Sequence, residues 1–525
     1  MKISSLKRIG TPPLVLALTC GPLGCGHPKE AGEAGQSKPN IVYILADDLG
    51  YGQLGCYGQK KIKTPHIDAL AARGMIFTHH YAGAPLSSPS RCVLMTGLHS
   101  GHAQIRANDE REERGDVWDY VLTQEHPELE GQYPLREGTP TIASLLKTAG
   151  YKTGIVGKWG LGGPLTEGTP WNQGFDFFFG HNCQRQAWNY YPRYLWKDSV
   201  KVGLPNELII PGTSNCKTKL PPGADPYSEA SYAGFTQKAY APDAMQKEAI
   251  RFIRENKSQP FFLCYATPIP HTALQAPQKW IDYYREIFGD EEPYLGEKNY
   301  FPVRYPHATF AAMVSCLDEQ VGELVEVLKE TGVYDHTLII FTSDNGPANA
   351  GGTDSPWFDS ARPFRCGPGW GKGTLREGGI RVPMIAHWPG KIKAGSRTSH
   401  LSAFWDVLPT FCEIAGTGNS VQTDGISFLP TLLGDREQPE HSFLYWEYPG
   451  SDGQQAVRMG KWKGLRKNIR DGNFRLELYD VETDNSETID LAGYHPEIVA
   501  RMEEILLQEH IPAENLRFRM KIPGD

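Results

Sequence analysis

Short apolar runs alternate with amphipathic segments over the first 340 residues. The run 40–46 is rich in β-branched residues and apolar on both faces, which is typical of a buried central strand. Runs of the same character occupy 153–156, 260–265 and 337–341, and helical patterns cover 66–73, 141–149 and about 308–331. Strands that alternate with helices predict an α/β fold, with a large, mostly parallel sheet sandwiched by helices.

The pattern of apolar and polar positions changes at about residue 430. Short alternating segments follow at 443–447, 455–458, 462–465 and 476–479, and an amphipathic helix covers about 496–509. This pattern predicts a smaller C-terminal antiparallel sheet plus helix. At 525 residues the chain exceeds the usual size of a single core, so we expect a catalytic domain over 39–429 and an α+β subdomain over 430–525.

The N-terminus has the character of an export signal. A basic start precedes the apolar run 14–18 and a cluster of small residues and cysteines, so residues 1–25 read as a leader and 26–38 as a linker. Neither this run nor any later segment approaches the roughly 20 apolar residues of a membrane helix, so no transmembrane span is expected. Export to the periplasm or the extracellular space follows, with plain cleavage and a lipid anchor at Cys25 (or Cys20) both open.

Charge and cysteine content argue against several classes of function. The formal charge is −8, and loss of the leader with Lys2, Lys7 and Arg8 brings it near −11, which disfavours nucleic-acid binding. Eight cysteines beyond the leader are scattered without C-x-x-C pairs, so zinc-ribbon and redox motifs lack support. One or two disulfides remain open, while Cys264, in an apolar run, is expected to be a buried core residue.

Acidic residues follow two of the predicted strands. Asp47 and Asp48 come directly after 40–46, and Asp344 and Asn345 follow 337–341. Ligands of parallel sheets gather at the carboxyl ends of the strands. Three carboxylates and an amide oxygen delivered there form the all-oxygen set that a hard divalent cation needs.

A serine-rich segment between these two clusters is the candidate nucleophile. Pro89 suits the first turn of a helix, so Ser87 is predicted just before a helix N-terminus, where free N–H groups favour an anion. Arg91 adds a fixed positive charge one turn later. Taken alone, this sequence would be a common helix cap or loop.

Three further polar residues are candidates for binding an anion. Lys158 follows the strand at 153–156, His271 follows the strand at 260–265, and Lys372 lies in a Gly-Lys-Gly-Thr segment. Two lysines and a histidine can hold a tetrahedral dianion against a metal ion.

The serine-rich segment also carries a family resemblance. Ser87-x-Pro89-Ser90-Arg91 followed by Leu94-x-Thr96-Gly97 resembles the signature of arylsulfatase-like, formylglycine-dependent sulfatases of the alkaline phosphatase superfamily. The resemblance extends from Asn40 to the C-terminal segments. It implies sulfate ester hydrolysis by a nucleophile made by oxidising Ser87 to formylglycine (3-oxoalanine), beside one calcium ion per chain. The implied metal ligands are Asp47, Asp48, Ser87, Asp344 and Asn345.

The same resemblance implies roles for the basic residues. Arg91 would stabilise the hydrated aldehyde. The sulfate ester would be bound by Lys158, His271 and Lys372, and His271 or Lys372 would protonate the leaving oxygen. Many sulfatases have a histidine after Gly-Lys-Trp, where this chain has Gly160, and His181 or another histidine is a candidate replacement. A serine precursor implies a serine-type (anaerobic) sulfatase-maturing enzyme as a partner.

The substrate is indicated only by class. The segment 181–232 is rich in aromatic residues, which either stack against sugar rings or form a packed loop layer. Export, acidity and these aromatics favour a sulfated sugar or polysaccharide. Two alternatives stay open: a metal-dependent phosphatase or phosphodiesterase of the same superfamily, and a non-catalytic sulfated-glycan-binding protein.

Overall fold

Ten strands form the central sheet, seen here in a computed structural model that describes residues 38–212, 218–418, 421–523 and 525. The leader, and the linker up to residue 37, lie outside the described residues. All strands of the described chain are β1 (Asn40–Ala46), β2 (Met75–Phe77), β3 (His80–Tyr81), β4 (Lys152–Lys158), β5 (Phe177–His181), β6 (Tyr194–Lys197), β7 (Val200–Gly203), β8 (Phe261–Ala266), β9 (Thr337–Ser343), β10 (Met384–His387), β11 (Ser396–Thr398), β12 (Ser402–Ala403), β13 (Leu444–Tyr448), β14 (Gln454–Met459), β15 (Trp462–Lys467) and β16 (Glu477–Asp480).

The central sheet has the order β11-β2-β10-β9-β1-β8-β4-β5-β6-β7. Its middle, from β9 to β5, is entirely parallel, whereas β10, β6 and β7 pair antiparallel with their neighbours. The α-helices are α1 (Pro65–Arg73), α2 (Ser87–Thr96), α3 (Tyr120–Glu125), α4 (Ile142–Thr148), α5 (Ala241–Asn256), α6 (Gln278–Phe288), α7 (Pro306–Glu330), α8 (Glu377–Ile380), α9 (Val407–Ala415), α10 (Leu429–Leu433) and α11 (Pro496–Gln508).

Hydrophobic cores lie on both faces of this sheet, because alternate residues of β1 point in opposite directions. Ile41 and Tyr43 belong to a core with residues of α2, α4 and α9. Val42 and Ile44 belong to a second core with α1, α5 and α7. The predicted α/β architecture, a mostly parallel sheet sandwiched by helices, is confirmed.

A separate sheet lies near the C-terminus. Strands β13 to β16 form a four-stranded antiparallel meander, and Met502 and Ile505 of α11 pack against Val457 and Leu478 in a small core of their own. The predicted antiparallel sheet plus helix is confirmed. Lys38–Asp525 form one compact unit, and the boundary between 429 and 430 stays a prediction.

Three details refine the sequence predictions. The helix that carries the serine motif begins at Ser87 itself, not after it, because Leu86 is already extended and its carbonyl accepts the Ser90 N–H at 3.1 Å. The seven described cysteines beyond the leader are free, Cys264 is fully buried as expected, and Cys216 lies outside the described residues. Among the described residues, no helix has both the length and the apolar character to cross a membrane.

Candidate active site

The polar residues singled out in the sequence meet at the carboxyl edge of the four adjacent strands β9, β1, β8 and β4. Asp344 and Asn345 follow β9, Asp47 and Asp48 follow β1, and Lys158 is the last residue of β4. The loop after β8 brings His271 to the same edge. This is where an open parallel sheet places its ligands.

Three carboxylates and one amide form the buried centre of this edge. The Asp48 N–H donates to Asp344 Oδ1 at 3.1 Å, and Asn345 Nδ2 donates to Asp48 Oδ1 at 2.8 Å. Asp48 has a left-handed backbone with φ 65°, which is uncommon for a residue other than glycine and occurs preferentially at functional sites. The side chains of Asp47 and Asp344 are fully buried.

Three cations surround these carboxylates. Lys158 Nζ lies 2.5 Å from Asp47 Oδ2, and Lys372 Nζ lies 2.6 Å from Asp48 Oδ1. Arg91 donates to Asp344 Oδ2 from Nε at 3.1 Å and from Nη2 at 2.9 Å. Three negative and three positive charges therefore balance, and a divalent cation would leave two positive charges in excess, which favours an anionic substrate.

Ser87 lies in the middle of this arrangement. Its Oγ donates to Asp47 Oδ1 at 3.1 Å and accepts a contact from Lys158 Nζ at 3.3 Å, and the residue is 1% exposed. As the first residue of α2 it sits where unpaired N–H groups and the helix dipole stabilise negative charge. A hydroxyl between a carboxylate and an ammonium group is well placed to become a nucleophile.

His271 completes the group. Its Nε2 lies 3.7 Å from Asp48 Oδ2, and its Nδ1 contacts the Thr272 carbonyl. One potential ligand atom each from Asp47, Asp48 and His271 lie within 4.8 Å of one another. An imidazole thus borders the carboxylates, which the all-oxygen pattern in the sequence did not include.

Burial and neighbouring charge shift the pKa values of these groups in opposite directions. Burial raises the pKa of Asp344 to about 6, and the adjacent Asp47 adds to this effect while Arg91 opposes it. Burial lowers the pKa of His271 to about 4, with a further contribution from Lys372. Burial would also lower the pKa of Lys372, but Asp48 holds that pKa above its ordinary value. At neutral pH, His271 is therefore neutral and Lys372 is protonated.

The acidic residues fit a hard divalent cation. Asn345 Oδ1 is buried and accepts no hydrogen bond, so an acceptor oxygen beside three carboxylates is free to coordinate a metal. Buried like charges such as Asp47 and Asp344 are costly unless a cation lies between or beside them. Calcium takes six to eight oxygen ligands, which suits this set together with substrate or water.

The position of Gly160 is explained by local geometry. Its backbone is left-handed with φ 83°, and a Cβ there would lie 3.1 Å from Gln184 Cγ. A larger residue would strain the backbone and push Gln184 away. His181 ends β5 as the register partner of Lys158, and burial lowers the pKa of His181 to about 3, so a neutral imidazole lies nearby.

Several neighbours of the site were not predicted. Ser88 Oγ donates to the Gly160 carbonyl at 2.7 Å and accepts from Gln132 Nε2 at 3.2 Å, and Gln184 joins the same network. The Tyr300 ring centroid lies 6.0 Å from that of His271. Ser88 lies in α2 beside the predicted nucleophile, whereas Gln132, Gln184 and Tyr300 lie outside the α-helices and strands, where no periodic pattern marked them.

The aromatic segment is largely a packed loop layer. Four of its aromatic residues are buried: Tyr190, Tyr191, Trp196 and Tyr232. Trp188 differs, because it is half-buried and its ring centroid lies 5.9 Å from that of Tyr300, edge to face. Trp188, Tyr300 and His271 therefore form a continuous series of ring contacts.

Comparison with known proteins shows which family the chain resembles. The Sulfatase family model matches residues 39–417, and the model for the C-terminal part of N-sulphoglucosamine sulphohydrolase matches residues 369–511. Human arylsulfatase A is 35% identical over 91% of this chain and 89% of its own length. The N-acetylgalactosamine-6-O-sulfatase of Bacteroides thetaiotaomicron is 28% identical over 92% and 95%.

Solved structures show the same architecture. The crystal structure of Ps i-CgsB in complex with k-i-k-neocarrahexaose superposes on this chain with a TM-score of 0.69 and 28% sequence identity. The match covers 92% of this chain and 94% of that chain. The phosphonate monoester hydrolase of Agrobacterium radiobacter shares the fold at 20% identity, with a TM-score of 0.60 and coverage of 90% and 95%. With a family match over more than half of its length, the chain belongs to the sulfatase family of the alkaline phosphatase superfamily and is a sulfuric ester hydrolase.

Proposed function

We propose that the protein releases inorganic sulfate from a sulfated sugar or polysaccharide, with formylglycine made from Ser87 as nucleophile and one bound calcium ion. The observation that carries the proposal is the position of Ser87 Oγ, 3.1 Å from Asp47 Oδ1 and 3.3 Å from Lys158 Nζ. This places one oxygen beside both the candidate metal ligands and the candidate anion-binding residues.

The choice of nucleophile has a chemical reason. A serine alkoxide that displaced the alcohol from a sulfate ester would leave a stable sulfated enzyme. A hydrated aldehyde supplies two hydroxyls, one to attack sulfur and one whose deprotonation expels sulfate, which divides the reaction into two easier steps. Conversion of Ser87 needs a serine-type sulfatase-maturing enzyme as a partner.

The metal site is assigned to the acidic centre. Asp47, Asp48, Asp344 and Asn345 would hold calcium, with an oxygen of residue 87 as a further ligand. When bound, the ion supplies positive charge that lowers the pKa of a coordinated hydroxyl and stabilises oxygen charge. Arg91 keeps Asp344 oriented through its two hydrogen bonds, so the carboxylate stays directed at the metal site.

The basic residues would bind and cleave the ester. Lys158 Nζ contacts Asp47 and Lys372 Nζ contacts Asp48, which supports a role for both ammonium groups in binding the sulfate oxygens of a substrate. His271 and Lys372 both face Asp48 and are the two candidates to protonate the leaving oxygen, and Lys372 is the one that is protonated at neutral pH. His181, beside Lys158 on the neighbouring strand, is a candidate base for the release of sulfate.

A carbohydrate substrate is supported by two observations. The Ps i-CgsB structure holds a neocarrahexaose, and the similar protein from Bacteroides thetaiotaomicron is a sulfatase of N-acetylgalactosamine. In this chain, Tyr300 packs against His271 and the half-buried Trp188 packs against Tyr300, which supplies aromatic side chains of the kind that line ligand-binding sites. The basic and apolar leader at 1–25 supports export to the periplasm or the extracellular space.

Release of sulfate and phosphate can be compared directly. Matured protein is incubated with a panel of sulfated oligosaccharides and with the matching phosphate esters, with calcium or zinc added. We expect calcium-supported release of sulfate and little release of phosphate. Preferential release of phosphate with zinc would favour the phosphatase alternative, and binding of sulfated glycans without release would favour the binding-protein alternative.

Substitution of Trp188 tests whether this side chain contacts the sugar of the substrate. We expect Trp188→Ala to lower kcat/KM for a sulfated oligosaccharide by about 5- to 10-fold, the value of one aromatic contact, and to leave a small aryl sulfate nearly unaffected. Trp462→Ala, a half-buried tryptophan in β15 of the C-terminal sheet, is the matched control. An equal loss on both substrates would show that Trp188 supports the site and does not contact the sugar.

A further inference from the structure

Two histidines and two carboxylates meet at the end of α2 opposite Ser87. His99 and His102 follow the helix, Asp424 lies in the loop before α10, and Glu509 directly follows α11. The ten residues of α2 span about 15 Å, so this cluster is separate from the site of sulfate hydrolysis. Nothing in the proposed reaction uses any of the four side chains.

The ligand atoms of the cluster are close together. His102 Nδ1 lies 2.9 Å from Asp424 Oδ2, and His99 Nε2 lies 3.8 Å from the same oxygen. Glu509 Oε2 lies 3.1 Å from His99 Nε2 and 3.8 Å from His102 Nε2. One ligand atom each from His99, His102 and Asp424 lie within 4.8 Å of one another.

These separations match those of a tetrahedral zinc site. Zinc binds nitrogen and oxygen at roughly 2.0–2.1 Å, which places neighbouring ligand atoms of a tetrahedron about 3.3–3.4 Å apart. Asp424 Oδ2 lies 2.9 Å from His102 Nδ1 and 3.8 Å from His99 Nε2, and these two distances bracket the expected value. His99, His102 and Asp424 thus already hold their ligand atoms together, whereas Glu509 faces the other nitrogen of His102 and would reach the same ion by rotation of its side chain.

The surroundings resemble a prepared site. The His99 side chain is 5% exposed, and its ring stacks on that of His102 at a centroid distance of 4.0 Å. Asp424 Oδ2 also accepts the His99 N–H at 2.9 Å, which orients the carboxylate towards the two rings. Supporting hydrogen bonds of this kind fix the ligands of metal sites.

We propose that His99, His102, Asp424 and Glu509 bind one zinc ion per chain. Two imidazoles with two carboxylates suit zinc and similar transition metals, whereas calcium prefers oxygen ligands alone. The ion joins the segment after the nucleophile helix to the loop at Asp424 and to the end of α11. Its effect is therefore on the stability of this junction.

The test uses the full-length protein with calcium kept saturating, so that the acidic centre does not take up zinc. After treatment with a zinc-selective chelator, Zn²⁺ is titrated back, and bound zinc and Tm are measured. We expect one zinc per chain and a rise in Tm of about 3 °C at a hundredfold excess over Kd. Co²⁺ in place of Zn²⁺ should give the visible absorption of a tetrahedral centre.

Variants locate the ion. His102→Ala and Asp424→Asn should each weaken zinc binding by at least about 100-fold and abolish the rise in Tm. His126→Ala is the matched control, because His126 is exposed and lies outside the cluster, and it should bind zinc normally. The Co²⁺ spectrum of the unaltered protein decides the matter if a cluster variant fails to fold.

Two results would overturn the proposal: no zinc bound by the unaltered protein, or equal binding by the cluster variants. The four residues would then form a hydrogen-bonded clamp. In that arrangement the Gly101 N–H, 3.2 Å from His99 Nδ1, keeps the ring proton on Nε2, where it is donated to Glu509. Sulfate release would be unaffected by this outcome, so the proposed function is tested separately.

Discussion

Ser87→Ala is expected to lower kcat for sulfate release by at least about 10⁴-fold, because it removes the oxygen from which the nucleophile is made. Among the described residues, Ser87 Oγ makes two hydrogen bonds, to Asp47 and Lys158, so we expect the loss of one hydroxyl to leave the fold intact. The measurement is kcat on a sulfated oligosaccharide together with Tm. We expect Tm to change by no more than about 2 °C.

Ser88→Ala is the matched control, one position further along the same helix. Ser88 Oγ donates to the Gly160 carbonyl and accepts from Gln132 and Gln184. Its loss should cost about 10-fold in kcat or less, since it disturbs supporting hydrogen bonds only. If Ser87→Ala retained a tenth of the activity, or if the two variants lost activity equally, the assignment of Ser87 as the nucleophile would be wrong.

Asp48→Asn is expected to weaken calcium binding by at least about 100-fold, more than the loss of a residue that only supports a ligand. The change removes one of three ligand charges and also the partner of Lys372 at 2.6 Å. Activity at low calcium should fall in parallel and should recover in part as calcium is raised. Calcium affinity by calorimetry and kcat/KM against calcium concentration measure the two effects.

Asp335→Asn controls for the removal of a carboxylate, because Asp335 is exposed and lies before β9, at the opposite end of that strand from Asp344. We expect it to bind calcium normally. A calcium affinity in Asp48→Asn equal to that of the unaltered protein would exclude Asp48 as a ligand. Loss of activity that no concentration of calcium restores would indicate that Asp48 acts by orienting Lys372.

The strand ends of the site could be predicted because they depend on local sequence. The run 40–46 is a strand over those same residues, since a β-branched segment that is apolar on both faces can be buried only inside a covered sheet. Asp47 and Asp48 then fall at the carboxyl edge by necessity. Asp344 and Lys158 are predictable in the same way, although β9 and β4 are a few residues longer than predicted.

The rest of the site depends on contacts between distant segments. Gln184 reaches Ser88, and Tyr300 approaches His271, from loops in which no periodic pattern predicts a position. The aromatic segment allows two interpretations, a sugar-stacking surface or a packed loop layer, because composition does not distinguish a buried ring from an exposed one. Only the packing shows that Tyr190 is buried while Trp188 faces Tyr300.

The most direct test of the account is the mass of the tryptic peptide from Gly74 to Arg91, taken from protein made in its native host or together with a serine-type maturing enzyme. Fragmentation distinguishes Ser87 from Ser88 and Ser90. We expect a peptide that has lost two hydrogens, with the loss located at Ser87. An unmodified serine at position 87 in protein from the native host would contradict it.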